Sequence, residues 1–327
     1  MTDKVPYITT DEIPYLKDCP KDGRVRPIST YHDGKHWHSY VLQPDKRVVA
    51  MKPIEVFNTS YVALSPASPS DVEIPLLTFL FQYFPSVEGA SAHRMLYEDV
   101  ENALAVLHKY FILSRHYDTA HDLAYSRVFA TELEYALFNH RSAYDLLHKF
   151  SMAFIQPYVP KGKTIPDSFR RFAEKSDEER LEYGFSSAIS SFYAAKKDRF
   201  MLLREMRDGI GHHGRSIDWI FKLAEGVGIA QDSFIGHALE KGRLWEMTKP
   251  LRNSIGSYLA LIAFLAQDLL IAIEDFTAAC ASSFDVLPSS TAAGYRIFVR
   301  SNLNAHRAKL AEYIEKPWTF GTKPLSS

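Results

Sequence analysis

The chain has 327 residues, of which 46% are hydrophobic and 24% charged, a composition typical of a globular protein with one or two domains. Its 38 lysine and arginine residues are balanced by 39 aspartate and glutamate residues, so the formal net charge is -1. That balance argues against a protein that coats nucleic acid through bulk positive charge and leaves room only for a local basic face.

The two cysteines, Cys19 and Cys280, are too few for a disulfide framework or a zinc-thiolate site, and this predicts a cytoplasmic protein in a reducing compartment. The first residues lack the apolar core of a secretory signal. The most apolar stretch, 259–273, is interrupted by Gln267 and Asp268, so it predicts a buried helix rather than a membrane span. We therefore expect no membrane association.

Residues 1–70 differ from the rest of the chain in their prolines, aromatic residues and short alternating runs. Segments 38–42 and 47–51 predict a small β-hairpin with its turn at 43–46. The serine- and proline-rich segment 65–70 predicts a linker. We therefore divide the chain into an N-terminal irregular region with a β-hairpin, ending at residue 70, and a helical domain.

Three histidines, His32, His36 and His38, cluster in this first region. Histidines two apart on a strand share a face, so a metal site is one interpretation. No carboxylate or cysteine at matching spacing completes a ligand set, and we favour a solvated or packed strand. The sequence predicts neither a cofactor nor a metal.

Across residues 71–327, apolar residues recur at steps of three and four, which predicts α-helices. The predicted helices are, in chain order, 71–84, 91–113, 119–155, 167–175, 177–183, 190–206, 216–225, 231–241, 251–278 and 289–315. Asp71 or Ser70 is expected to cap the first helix, and 251–278 is expected to be a central core helix. The expected fold class is therefore mainly α, a helical bundle preceded by the small hairpin region.

A cluster of charged and imidazole side chains occupies residues 207–214, where the chain reads RDGIGHHG. The guanidinium of arginine has a fixed fork of N–H donors that can neutralise the charge on a phosphodiester, and histidine exchanges protons near neutral pH. This cluster therefore suits phosphodiester cleavage without a metal. On an unbroken helix, Arg207 and His212 would point about 140° apart. We therefore expect Gly209 and Gly211 to end the helix and fold the histidines back.

These residues resemble the signature of the HEPN domains, an arginine, a polar residue, a few more residues and then a histidine, seen here as Arg207-Asp208-x-x-x-His212. The resemblance implies an all-α domain that dimerises so that two motifs face each other, with metal-independent endoribonuclease activity in many members. It also implies a toxin or antiviral defence effector, with an antitoxin or regulatory protein as a further partner. His213 supplies a second imidazole next to His212, so the sequence leaves open which of the two histidines acts.

The resemblance implies a role for each motif residue. One histidine would take the proton of the attacking 2'-OH and another, from the same chain or a second copy, would protonate the leaving oxygen. Arg207 would stabilise the phosphorane, and Asp208 would orient Arg207 or His212. The expected products are a 2',3'-cyclic phosphate and a 5'-OH.

The basic residues around the motif are candidates for contacts with the RNA backbone. Between residues 196 and 215 there are six lysines and arginines against three aspartates and glutamates. A solvated helix face would carry the same charge. The RNA-binding candidates are Lys196, Lys197, Arg204, Arg215 and, more weakly, Arg141, whose default role is an ion pair with Asp145.

Other arginine-to-histidine spacings also fit the signature. They are Arg115 to His121, Arg141 to His148 and Arg300 to His306. We prefer Arg207 because Asp208 follows it and glycines supply the bend.

A metal-binding bundle is a second interpretation, since Asp118-x-x-His121 and Asp145-x-x-His148 have a spacing at which helical ligands point the same way. Both pairs fall on one predicted helix, about 40 Å apart, so they cannot share a metal unless that helix breaks.

The alternative function is a non-catalytic α-helical module that binds a protein or a nucleotide. In that interpretation the motif is a glycine-rich helix end whose cations sit near the negative pole of the helix dipole. A composite two-fold site needs a dimer and a structural helix end does not, so the oligomeric state distinguishes the two.

Overall fold

The computed structural model describes residues 7–17, 28–45, 47–83, 87–116, 123–213, 217, 220–251, 254–283 and 294–320. The described strands are β1 (Tyr7–Ile8), β2 (Tyr31–His32), β3 (Trp37–Leu42), β4 (Val48–Met51), β5 (Thr59–Ala63), β6 (Val72–Glu73), β7 (Ile220–Leu223), β8 (Gly226–Ala230), β9 (Ile255–Ser257) and β10 (Arg296–Arg300). The described helices are α1 (Pro75–Tyr83), α2 (Val87–His116), α3 (Leu123–Ile155), α4 (Phe169–Ala173), α5 (Asp177–Leu181), α6 (Ser187–His213), α7 (Phe234–Lys241), α8 (Tyr258–Ser283), α9 (Asn304–Arg307) and α10 (Leu310–Glu315).

The prediction of a mainly α-helical chain with a β-hairpin near its beginning is confirmed. β3 and β4 pair antiparallel, with Leu42 opposite Val48 and Ser39 opposite Met51. The assignment of the helices to a HEPN-like bundle stays a prediction. None of the helices within the described ranges combines the length and the apolar character needed to cross a membrane.

The chain divides into two compact units. The sheet unit comprises residues 1–97 and 277–305, and the helical unit comprises residues 98–276 and 306–327. The predicted boundary at residue 70 falls inside the sheet unit, because β10, from the far end of the chain, pairs antiparallel with β5 along its whole length.

A seven-stranded sheet in the order β1-β4-β3-β2-β5-β10-β6 forms the framework of the sheet unit, counting the described strands. β10 lies between β5 and β6, so the prediction of one helix over 289–315 is wrong at 296–300, whereas 289–293 lie outside the described residues. Its residues Ile297, Phe298 and Val299 are all buried. Such a continuous apolar run is typical of a strand covered on both faces, and β-branched and aromatic residues favour that conformation.

A buried carboxylate connects the strands of the sheet unit. Asp71, whose side chain is 2% exposed, accepts a hydrogen bond from Tyr61 Oη at 2.6 Å and pairs with Arg300 Nη2 at 3.0 Å. The guanidinium of Arg300 also lies over the ring of Trp37, 4.7 Å from its centroid. The expected capping role of Asp71 is therefore wrong: α1 begins only at Pro75, and the carboxylate joins β5 to β10.

We expect Asp71→Ala to lower the free energy of unfolding by about 3 kcal/mol, because it leaves the Arg300 guanidinium without its buried partner. Urea denaturation followed by circular dichroism measures this. Asp45→Ala breaks the exposed Asp45–Arg47 pair and is the control, with a barely measurable change expected. Equal effects of the two substitutions would contradict the assignment.

The helical unit is built around α6, on which α3, α4, α5 and α7 pack. The ring of Phe169 on α4 lies at the centre of an aromatic core, 4.8 Å from Phe200 and 4.9 Å from Tyr193 on α6 and 5.1 Å from Tyr144 on α3, measured between centroids. This interlocking of large rings fixes α6 against α3.

A small antiparallel sheet, β7-β8-β9, replaces part of the expected helical structure. The predicted helix 216–225 is wrong, because 220–223 and 226–230 form a hairpin with Leu223 opposite Gly226. The predicted helix 251–278 begins later, at Tyr258, because 255–257 pairs with β8. Its role in the core is confirmed, since most of its apolar residues are buried.

Two histidines meet inside the helical unit. His108 Nδ1 and His306 Nε2 lie 3.1 Å apart, and His306 Nδ1 lies 3.1 Å from Tyr313 Oη. The ring of Phe111 stacks on His306 at an angle of 9°. Burial, together with the neighbouring His108 and Lys309, lowers the pKa of His306 to about 4.

We expect this histidine to destabilise the protein as the pH falls. An unfolded histidine has a pKa of about 6.5, so between that value and the folded value the unfolded chain binds the additional proton. Stability should decrease from about pH 6.5 toward pH 4, by at most about 1.4 kcal/mol per pH unit for this group. Thermal unfolding of wild type and His306→Gln over this range measures the difference, and identical pH dependences would refute it.

Candidate functional site

The predicted motif lies on α6, which runs as an uninterrupted helix from Ser187 to His213. The expectation that Gly209 and Gly211 end the helix is therefore wrong. The backbone of His212 and His213 belongs to the last turn of α6, whereas their side chains lie outside the described residues.

Gly209 has a packing role instead. A Cβ atom at this position would lie 2.3 Å from Cζ of Phe234 on α7. The absence of a side chain thus lets the phenyl ring of Phe234 contact the backbone of α6 directly. The helix continues through Gly209 to His213.

We expect Gly209→Ala to destabilise the protein by roughly 1–3 kcal/mol, although alanine favours helices more than glycine, because the new methyl overlaps the ring. The double variant Gly209→Ala, Phe234→Leu removes the overlapping ring and should recover much of the loss. Denaturant unfolding of both variants and of Phe234→Leu alone tests this. A stabilising effect of Gly209→Ala would show that the ring is not a barrier.

The continuity of α6 decides which motif residues share a face. Residues five apart lie about 140° apart around a helix, whereas residues four apart lie about 40° apart. The backbone position of His212 is therefore one turn after that of Asp208, about 40° round the helix axis, and about 140° from that of Arg207.

Two guanidiniums bind one carboxylate at the motif. Arg207 Nε lies 2.9 Å from Asp208 Oδ1, with Arg207 Nη2 donating to the same oxygen, and Arg204 Nε lies 3.1 Å from Asp208 Oδ2. The three side chains are between 20% and 31% exposed, so solvent and ligands reach them. The cluster carries one net positive charge, and Asp208 fixes the orientation of both arginines.

An exposed aromatic ring of α3 adjoins this cluster. The guanidinium of Arg207 lies 5.8 Å from the ring centroid of Phe138, which is 41% exposed. One turn earlier, Tyr135 is 42% exposed and has Lys109 Nζ at 5.7 Å. Neither ring was predicted from the sequence as part of the site. The available signal was their spacing of three, which puts two aromatic residues on one helix face.

The RNA-binding candidates divide into several groups. Arg204 contacts the motif carboxylate, and Lys197, seven residues earlier, shares its face of α6. Lys196 pairs with Asp275 at 2.6 Å, and Arg141 forms its expected ion pair with Asp145 at 2.9 Å. Arg215 lies outside the described residues.

The other arginine-to-histidine pairs contain residues that have structural partners. His148 contacts Tyr193 Oη at 2.7 Å and the carbonyl oxygen of Pro166 at 2.8 Å, so both ring nitrogens are used. Burial lowers the pKa of His148. Arg300 pairs with Asp71, and His306 contacts His108, as described above. His121 lies outside the described residues.

The two metal interpretations receive no support from the described side chains. His38 Nε2 lies 2.8 Å from Asp33 Oδ2, and this hydrogen bond, with those from backbone N–H groups, lowers the pKa of Asp33. Asp118, like His121, lies outside the described residues. No group of three or more potential metal ligands occurs in the part of the chain that the structure describes.

Comparison of the chain with protein-family models, with curated proteins and with solved structures returned no match.

Proposed function

We propose that the chain is a metal-independent endoribonuclease of the HEPN type and acts as a homodimer. The observation that carries the proposal is the Arg204–Asp208–Arg207 cluster, which shares one uninterrupted helix with His212. Partly exposed guanidiniums of fixed orientation suit an RNA phosphate, and an imidazole on the same helix supplies proton transfer.

In the proposed reaction, the 2'-OH of a ribose attacks the adjacent phosphorus while a histidine, His212 or His213, takes its proton. Arg207 and Arg204 stabilise the negative charge that develops on the phosphorane oxygens. A second histidine protonates the departing 5'-oxygen. The bond to that oxygen breaks, leaving a 2',3'-cyclic phosphate on one product and a 5'-OH on the other.

The helix geometry favours a site shared by two chains. The backbone positions of Arg207 and His212 lie about 140° apart around one helix, which favours a phosphate bound between Arg207 of one copy and a histidine of another. Two copies related by a two-fold axis would present the arginines of one chain opposite the histidines of the other. The exposed Phe138 next to Arg207 offers a surface on which an unpaired base stacks.

The biological role that we propose rests only on the resemblance of the motif to the HEPN signature. We propose a cytoplasmic effector of the toxin or antiviral defence kind, whose activity an antitoxin or regulatory protein restrains. The near-neutral net charge fits an enzyme that contacts RNA locally.

We expect purified protein to cleave RNA in excess EDTA, and we expect Arg207→Ala and His212→Ala each to reduce the rate about 100-fold or more, since each removes charge stabilisation or proton transfer. Labelled single-stranded RNA, resolved on denaturing gels, measures the rates. Matched controls are Arg170→Ala and His36→Ala, whose side chains are 38% and 72% exposed. Both should cleave like wild type.

Light scattering and circular dichroism on every variant establish that the dimer and the fold persist. Products ending in a 3'-phosphate formed directly, without a cyclic intermediate, would contradict the mechanism. An inactive, monomeric wild type would favour the alternative, a helical module that binds a protein or a nucleotide.

A further inference from the structure

A second candidate site lies on the side of α6 that faces away from Arg204 and Asp208. A cavity of ≈ 620 Å³ opens there among α6, the end of α7 and α8. Its volume is in the range of small-molecule sites, about 300–1,000 Å³. Four cationic side chains line it, namely Lys196, Arg199, Lys241 and Arg243.

Two of these cations are already neutralised. Lys196 pairs with Asp275, and Lys241 pairs with Glu205, each at 2.6 Å. Arg243 is exposed, at a positive φ of 55°, and has no ion-pair partner among the described residues. It therefore presents a guanidinium at the rim that is free to bind a ligand.

Arg199 is the least committed of the partly buried cations. Its only polar contact within the described residues is Nε to Asp268 Oδ1 at 3.5 Å, and its buried Nη1 has no hydrogen-bond partner there. The ring of Phe264, 4.7 Å from the guanidinium carbon, holds the plane of the group. An arginine thus lines the cavity with most of its donors unused.

A buried polar cluster lies behind Arg199. His140, 2% exposed, has Nε2 3.3 Å from Asp268 Oδ2, but the pair is not aligned for a hydrogen bond. Tyr144 stacks on the His140 ring, and its hydroxyl also has no partner in the described part of the chain. Although burial acts against it, His140, Arg199 and Lys196 lower the pKa of Asp268, so the carboxylate stays charged.

Buried polar atoms without hydrogen-bond partners are rare in folded proteins. Two of them, Arg199 Nη1 and Asp268 Oδ2, belong to residues that line the cavity, which indicates a binding site there. The cavity also contains the carboxylates Asp198, Glu205 and Asp268, so its lining carries a formal charge of only +1. That charge fits one phosphate group better than a polyphosphate or a nucleic-acid strand.

We propose that this cavity binds the phosphate group of a small molecule. Arg199 is the principal contact, since its guanidinium fork matches two phosphate oxygens, and Arg243 contributes from the rim. Asp268 is a positioning residue that pairs with Arg199, and His140 lies against the other oxygen of that carboxylate. This site is separate from the motif and goes beyond the proposed ribonuclease function.

The test uses the full chain and three probes at constant ionic strength: inorganic phosphate, ribose 5-phosphate and adenosine monophosphate. We expect a saturable increase in the melting temperature of a few degrees, because a ligand that binds only the folded state stabilises it. Calorimetric titration gives the Kd of each probe. Tighter binding of one phosphomonoester identifies it as the better ligand, whereas equal affinities indicate a site for free phosphate.

Substitutions locate the bound phosphate. We expect Arg243→Gln, a change at an exposed residue, and Arg199→Lys, which keeps the charge but loses the fork, each to weaken binding about tenfold. Lys161→Gln removes an exposed cation away from the cavity and should leave the Kd unchanged. Arg207→Ala should also leave it unchanged. Absence of saturable binding by all three probes, or loss of binding only in Arg207→Ala, would overturn the proposal.

Discussion

The unbroken backbone of α6 is the constraint on which the helical unit depends. Its period of 3.6 residues fixes the direction of each side chain around the helix axis. Arg199 lines the cavity, Phe200 packs in the aromatic core about 100° further round the axis, and Arg204 and Asp208, which form the motif cluster, follow at further steps of about 40°. Because a helix cannot rotate one turn independently of the next, these three environments are mechanically linked.

Periodicity was enough to predict the long elements of the fold. The α3 and α8 segments carry apolar residues at helical spacing over many turns, and the hairpin of β3 and β4 alternates around a recognisable turn. The short apolar runs of β7, β8 and β10 do not last long enough to separate a strand from a helix. β10 also pairs with β5, which is more than two hundred residues away in the sequence. A local sequence pattern cannot predict a pairing over that distance.

The candidate site was predictable in its composition and not in its geometry. A motif of arginine, aspartate and histidine is visible in the sequence, but a glycine that ends a helix and one that admits a neighbouring ring look the same there. Gly209 is of the second kind because Phe234 comes to it from α7. His140, Arg199 and Asp268 come from three separate helices, so only the folded structure brings these side chains together.

The position of β10 has a consequence for how the chain is made. This strand lies between β5 and β6, yet it comes more than two hundred residues after both of them in the sequence. During synthesis, the earlier strands therefore emerge long before their central neighbour exists, and β5 keeps an open edge until then. The sheet unit is complete only once β10 has been made, and pairing over so long a stretch of chain is an ordering that slows folding and leaves a strand edge exposed in the meantime.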